Sequence, residues 1–251
     1  MKKIYFLLTL FLFGNFCFAQ YPSYKQKLLY TCKVWGFVKY YHSRVSVCAV
    51  NWDSVLVHCL PLVKNAVTKN DFNNALDTML LAAGPMALTT TPRPDTMSAT
   101  QKRNLRFAWI NDTILRADVQ TILDTIKNNF RPHAECWVAN NTYTTSNYSY
   151  LLLPADTAMN TQDTQVNFPD EWHRLLMLFR HWNLVNYFDP NNGVMSPILD
   201  SNLYKHVMVV DSATDDMHLY LGIRKINAPL GDMITENYTY DNYQSFPYQG
   251  P

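Results

Sequence analysis

The residues able to do chemistry are thinly spread along this chain. His42 and Asp53 offer one nitrogen and one oxygen donor eleven positions apart. A metal site wants three or four such ligands, so a helix end for His42 and a helix cap for Asp53 fit better. Asp189 opens the run Asp189-Pro190-Asn191-Asn192-Gly193. It lacks the alternating acidic ligands and closing Glu of a calcium loop and reads as a turn residue. No serine carries glycines on both sides, so the tight-turn marker of an activated hydroxyl is missing. No Cys-x-x-Cys pair is present, which counts against zinc and thioredoxin-type chemistry. No residue is assigned to catalysis, to a cofactor or to a metal.

The aromatic and charged residues offer more. Trp35 and Trp182, with Tyr40, Tyr41, Tyr187 and Phe188, could form a flat platform for a ligand, but their helical spacing places them in a core. Lys33 and Arg180 each lie one residue from that core face. They are expected to form salt bridges within the chain, with partner binding as the other reading.

These residues sit on two stretches. Leu175 to Pro190 carries Leu175, Leu176, Phe179, Trp182, Val185 and Phe188 at three- and four-residue steps, the stripe of a buried amphipathic helix. Leu28 to Ser43 repeats it 147 positions earlier. Trp35 falls on Trp182, Lys33 on Arg180, Tyr40 on Tyr187 and Tyr41 on Phe188. The register runs on without a gap, Asp53 meeting Asp200, Leu56 meeting Leu203 and Gly84 meeting Gly231. A match of this length reads as an internal duplication.

The two stretches, with Asn51-Trp52-Asp53-Ser54, also carry a resemblance. They are similar to the helical N-terminal region of secreted bacterial serine peptidases of the tail-specific, C-terminal-processing family, over about Lys25 to Leu230. In that family a Ser and a Lys act in a later domain, beyond a peptide-binding PDZ module. This chain ends before either would begin. The family closes its helical unit with an Asp and His pair, whereas Lys225 to Asp232 here holds no His. The resemblance therefore implies a truncated or degenerate copy without catalytic residues of its own.

Composition sets the class. Met1 to Gln20 places two lysines before an apolar run and small residues before Gln20, the pattern of a secretory signal peptide cleaved after Ala19. Removing Lys2 and Lys3 takes the formal charge from +1 to −1. Charged residues make up 16% and form no basic cluster, so nucleic-acid binding has no electrostatic footprint. No later run is long enough to cross a bilayer. Cys32, Cys48, Cys59 and Cys136 remain in an oxidising compartment, where disulfides are permitted. The spacing does not choose among pairings, and a buried thiol suits Cys32 as well as a bridge does.

The expected fold is mainly α: two duplicated three-helix units packed together, with a small α+β insert between them. The expected segments are a signal peptide at 1–19, a first helical unit at 20–88, the insert at 89–169, a second unit at 170–233 and an irregular tail at 234–251. Asp53 or Asn51, Asp71, Asp170, Asp200 or Ser201, and Asp215 or Asp216 are expected to open helices. Strands are expected over Ala134 to Asn140 and Tyr148 to Leu153. Trp35, Tyr40, Tyr41 and Asp53 in the first unit, with Trp182, Tyr187, Phe188 and Asp200 in the second, form the structural signature. The function that follows is a non-catalytic scaffold or interaction domain, located in the periplasm, at the cell surface or outside the cell. Its partner would be a peptidase core domain or a peptide. Two other readings are a fragment of an active peptidase whose Ser/Lys domain lies beyond the chain, and a periplasmic peptide- or sugar-binding protein.

Overall fold

A computed structural model describes residues 21–86, 88, 106–129, 137, 142–145, 148–151, 168–188 and 192–228. They are mainly helical. Helices α1 (Tyr24–Tyr41), α2 (Trp52–Asn65) and α3 (Lys69–Ala83) come first. A 3-10 turn (Ala108–Asn111) and α4 (Ala117–Asn129) follow. β1 (Thr142–Thr145) and β2 (Tyr148–Leu151) pair as an antiparallel ribbon. Then come α5 (Glu171–Phe188), α6 (Asn192–Asp211) and α7 (Asp216–Asn227). The leader 1–19, the tail 234–251 and the strand expected at Ala134 to Asn140, Trp137 apart, lie outside the described residues.

Helix α1 is the axis of the molecule. A capping box starts it: Ser23 Oγ accepts from the Gln26 N–H at 3.3 Å while Gln26 Oε1 accepts from the Ser23 N–H at 2.8 Å. Every residue from Thr31 to Tyr40 is buried, Lys33 and Lys39 included. α1 packs against α2, α3, α4, α5 and α6. The matching stretch in α5 is less enclosed: Val185, Asn186, Tyr187 and Phe188 stay partly exposed. The difference has a physical cause. Phe107 and Trp109 pack edge-on against Phe37, with ring centroids 5.4 and 6.0 Å away, so the segment before α4 covers the side of α1 that a two-unit packing would leave wet.

Helices α1 and α5 meet at Gly36 and Asn183. A Cβ on Gly36 would overlap the Asn183 amide group. Because Gly36 has none, Asn183 lies directly on the α1 backbone. Its Nδ2 donates to Cys32 O at 3.1 Å and to Phe179 O at 2.9 Å. Asn183 Oδ1 is buried without a partner, a cost this close approach carries.

Two helix starts differ from expectation. Thr68, not Asp71, is the cap of α3; Asp71 is the third helical residue and returns the bond to the Thr68 N–H at 2.8 Å. Asp200 lies inside α6, which begins earlier, at Asn192. Asn51 caps α2 and Asp215 caps α7, in line with the sequence. Asp170 accepts from the Trp172 and His173 N–H groups at the start of α5. Gly84, at φ 76°, turns the chain out of α3 in a conformation that suits glycine. The ribbon forms from β1 and β2, so the partner of the strand expected at Tyr148 is Thr142–Thr145.

Gly36→Ala is expected to lower unfolding stability by about 1–3 kcal/mol, the usual range for overpacking. Adding Asn183→Ala should restore part of the loss, because it removes both the overlap and the unpaired oxygen. Urea unfolding of the two single variants and the double would read this, and strictly additive losses would show that the two residues do not press on one another.

Candidate functional site

Two clusters of charged and aromatic side chains flank the α1–α5 contact. In the first, Asp53 sits at the second position of α2 and bonds the guanidinium of Arg180 on α5. Lys39 Nζ stands 3.9 Å from the other carboxylate oxygen. The lysine side chain is 1% exposed. Its ammonium lies 4.8 Å from the centroid of Trp35 and 4.3 Å from that of Trp137, with Tyr40 at 6.0 Å. Trp137 is held there by its own N–H, which donates to Val45 O at 2.8 Å. Aromatic faces on two sides replace the water that an ammonium gives up on burial.

In the second cluster, Asp200 on α6 accepts from Lys33 Nζ on α1 at 2.6 Å. Trp182, Asn186 and Tyr187 of α5 stand around it. Instead of closing, this cluster lines a cleft of about 130 Å³, with Arg106 and Trp109 on its other wall. The Asp200 side chain keeps 34% of its surface exposed against 9% for Asp53.

The clusters are built from corresponding positions in the two stretches. Lys33–Asp200 and Arg180–Asp53 are one pair exchanged across the contact. Tyr40 packs on Phe188 with centroids 5.2 Å apart, and its counterpart pair, Tyr41 with Tyr187, is at 5.9 Å. Tyr40 and Tyr187 face each other directly at 5.2 Å. The Trp35 N–H donates to Trp52 O at 3.1 Å, and the Trp182 N–H to Leu199 O at 3.4 Å. Farther out, Tyr24 donates to Asp211 at 3.3 Å where Lys64 meets Glu171 at 2.6 Å. Lys27 donates to Lys64 O at 3.2 Å where Arg174 donates to Asp211 O at 2.5 Å.

Of the eight signature residues, Tyr40, Tyr41, Tyr187 and Phe188 pack α1 on α5, Asp53 and Asp200 tie α2 to α5 and α6 to α1, and Trp35 and Trp182 bond α2 and α6. Trp35 and Trp182 are buried, so the exposed tryptophan platform considered from sequence is not what they form. The expected salt bridges of Lys33 and Arg180 are present. Sequence reading passed over Lys39, Asn186, Arg106, Trp109 and Trp137. Lys39 opposite Asn186 was visible in the aligned stretches as a charge mismatch. The two added tryptophans come from the intervening segment, where no repeat marks them.

The remaining candidates are structural. His42 ends α1, its N–H bonded to Val38 O. Its Nδ1 accepts from the Arg44 N–H at 3.3 Å, a role open only to the neutral ring, and burial pushes its pKa below the usual value of 6.5. Asp53 is committed to Arg180 and Lys39, so the two do not meet as a metal pair. Among the described residues no group of three or more His, Cys, Asp or Glu is placed to hold a metal ion. Cys32 and Cys59 are free and buried. Burial raises the pKa of both thiols, Cys59 to about 12, which leaves no thiolate for chemistry at neutral pH. Cys48 is disulfide-bonded to a cysteine outside the described residues, so the four mature cysteines do not form two bridges.

Two outcomes follow. Asp53→Asn removes the carboxylate charge shared by the buried Lys39 and the partly buried Arg180 and should cost about 3–5 kcal/mol, while Asp200→Asn, with more water at hand, should cost clearly less. Equal losses in chemical unfolding would contradict the burial difference. Because His42 is neutral when folded and titrates at an ordinary value when unfolded, stability is full above pH 6.5 and falls below it. His42→Asn, which keeps an acceptor for Arg44, should flatten the drop in melting temperature between about pH 7.5 and pH 5.5.

No protein-family model matches this chain, and no curated protein or solved structure matches it either.

Proposed function

We propose that this chain is a secreted, non-catalytic binding module, made of a duplicated three-helix unit of the kind found at the N-terminus of tail-specific serine peptidases. The observation that carries the reading is the exchange of partners across the α1–α5 contact. Lys33–Asp200 returns as Arg180–Asp53, and Tyr40–Phe188 returns as Tyr41–Tyr187. An isologous contact pairs position i with j′ and j with i′, which is the pattern two copies of one unit produce when they pack about a two-fold axis. On this reading α1, α2 and α3 correspond to α5, α6 and α7, and the segment between the units serves as a cover that supplies Trp109 and Trp137.

The residues most able to do chemistry are consumed by this packing. Asp53 and Asp200 are paired, the two described thiols are protonated, and Trp35 and Trp182 are buried. Among the described residues a cleft beside Asp200 is open to a ligand, which suits recognition better than turnover. Secretion is supported by the leader pattern of Met1 to Gln20 and by the disulfide at Cys48. A peptidase core or a peptide is the natural partner for a unit of this resemblance.

The test is expression of the full chain with its own leader. The product should appear outside the inner membrane with Gln20 at its N-terminus. It should neither cleave an unfolded protein substrate nor react with a fluorophosphonate. Recovery of intact Met1 in the cytoplasm would sink the secretion claim, and a serine labelled in the mature protein would sink the non-catalytic one.

A further inference from the structure

We propose that the cleft beside Asp200 binds an alkylammonium group, the chemistry of a lysyl side chain, and that the first cluster displays the bound arrangement with the chain's own Lys39 as the occupant. The inference rests on the equivalence of the two units proposed above. Each element around the Lys39 ammonium has a counterpart at the cleft. Asp200 stands for Asp53, Trp182 for Trp35, Tyr187 for Tyr40 and Lys33 for Arg180. Trp137, which covers Lys39 from the intervening segment, is answered by Trp109 of the same segment, which walls the cleft. The one functional difference is at the centre. Where the first unit has Lys39, the second has Asn186, two heavy atoms shorter along the side chain and uncharged. The volume that the lysine stem and head fill in the first cluster is the volume left open in the second.

Charge agrees with this choice of ligand. Lys33 already neutralises one oxygen of Asp200 at 2.6 Å, and the carboxylate count alone leaves no charge for a second cation. The first cluster holds the same count, Arg180 and Lys39 to one Asp53, with Lys39 fully buried. A second ammonium therefore repeats an arrangement the fold already stabilises, with aromatic faces meeting part of the charge. Arg106 belongs to the exposed rim, where water and salt screen it. A single ammonium in so small a cleft should bind with a Kd on the order of millimolar, and a peptide that adds contacts around its lysine should bind more tightly.

The experiment follows the indole N–H signals of the mature full-length protein by NMR. The probes are n-butylammonium, sodium butyrate, a short neutral peptide with one lysine, and the same peptide with norleucine in its place. The ammonium and the lysine peptide should shift the Trp109 and Trp182 signals saturably, with butyrate and the norleucine peptide inert. The lysine peptide binding more tightly than the free amine points to a protein or peptide source, and the reverse to a small amine; either leaves the ammonium assignment standing. Asp200→Asn should weaken binding by at least about tenfold. Asn186→Lys, which leaves the Lys33–Asp200 pair in place, should abolish binding and shift the Trp182 signal with no ligand added. Saturable shifts from butyrate but not from butylammonium would overturn the proposal in favour of an anion held by Arg106, and no shift from any probe overturns it outright. An Asn186→Lys protein whose ligand-free Trp182 signal stays where it was tells instead against the equivalence of the two units.

Discussion

The structure depends on two cations, the buried Lys33 and the partly buried Arg180, reaching across the contact between α1 and α5 to carboxylates on the far side. Lys33 leaves α1 for Asp200 on α6, and Arg180 leaves α5 for Asp53 on α2. Each tie joins a first helix to the other set's second helix, so neither set can slide without breaking both. Removing one partner from such a pair costs more than the pair contributes, because the survivor keeps its desolvation penalty. That asymmetry fixes register. The apolar packing around it, from Leu28 and Phe37 to Phe179 and Trp182, supplies the bulk of the burial energy but would tolerate small shifts that the ion pairs do not.

Much of this was legible in the residues. The two stretches read as helices from their apolar spacing, Leu28 to Ser43 and Leu175 to Pro190, lie largely within α1 and α5. The matched stretches also announced which side chains would meet, although not how. Acidic residues misled. Asp71 and Asp200 look like caps because Asp is favoured at a helix start. Asp71 instead completes a capping box begun by Thr68. Asp200 is spent sideways on Lys33, a use that depends on a helix 167 positions away in the chain and leaves no local mark. The cleft was less legible still. Its walls combine α1, α5 and α6 with Arg106 and Trp109, and no periodicity relates a loop tryptophan to the helix it covers.

On the proposed duplication, the contact at Gly36 and Asn183 bears on how the two units differ. Near a two-fold axis a residue faces its own counterpart. In a dimer of identical chains the facing pair must be alike, either two glycines with a gap or two asparagines in collision. A single chain is free of that restriction. Here one side is Gly36, bare, and the other is Asn183, whose amide fills the space and bonds Cys32 O. The unequal pair gives a closer approach than either equal pair could.

The same freedom explains why one cluster is closed and the other open. If the two units are copies joined in one polypeptide, as proposed, Lys39 and Asn186 are not bound to be alike. Closing both clusters would bury two ammonium groups near the same interface, each with a desolvation cost that aromatic contact only partly offsets. Closing one secures the Asp53 side, where Trp137 and Lys39 exclude water and the carboxylate is left 9% exposed. The other side can then keep its carboxylate in reach of solvent without loosening the whole, since Lys33 still ties Asp200 down. On the proposed reading, stability and recognition are divided between two corresponding positions, and the division follows from a single difference in side-chain length, Lys39 on α1 against Asn186 on α5.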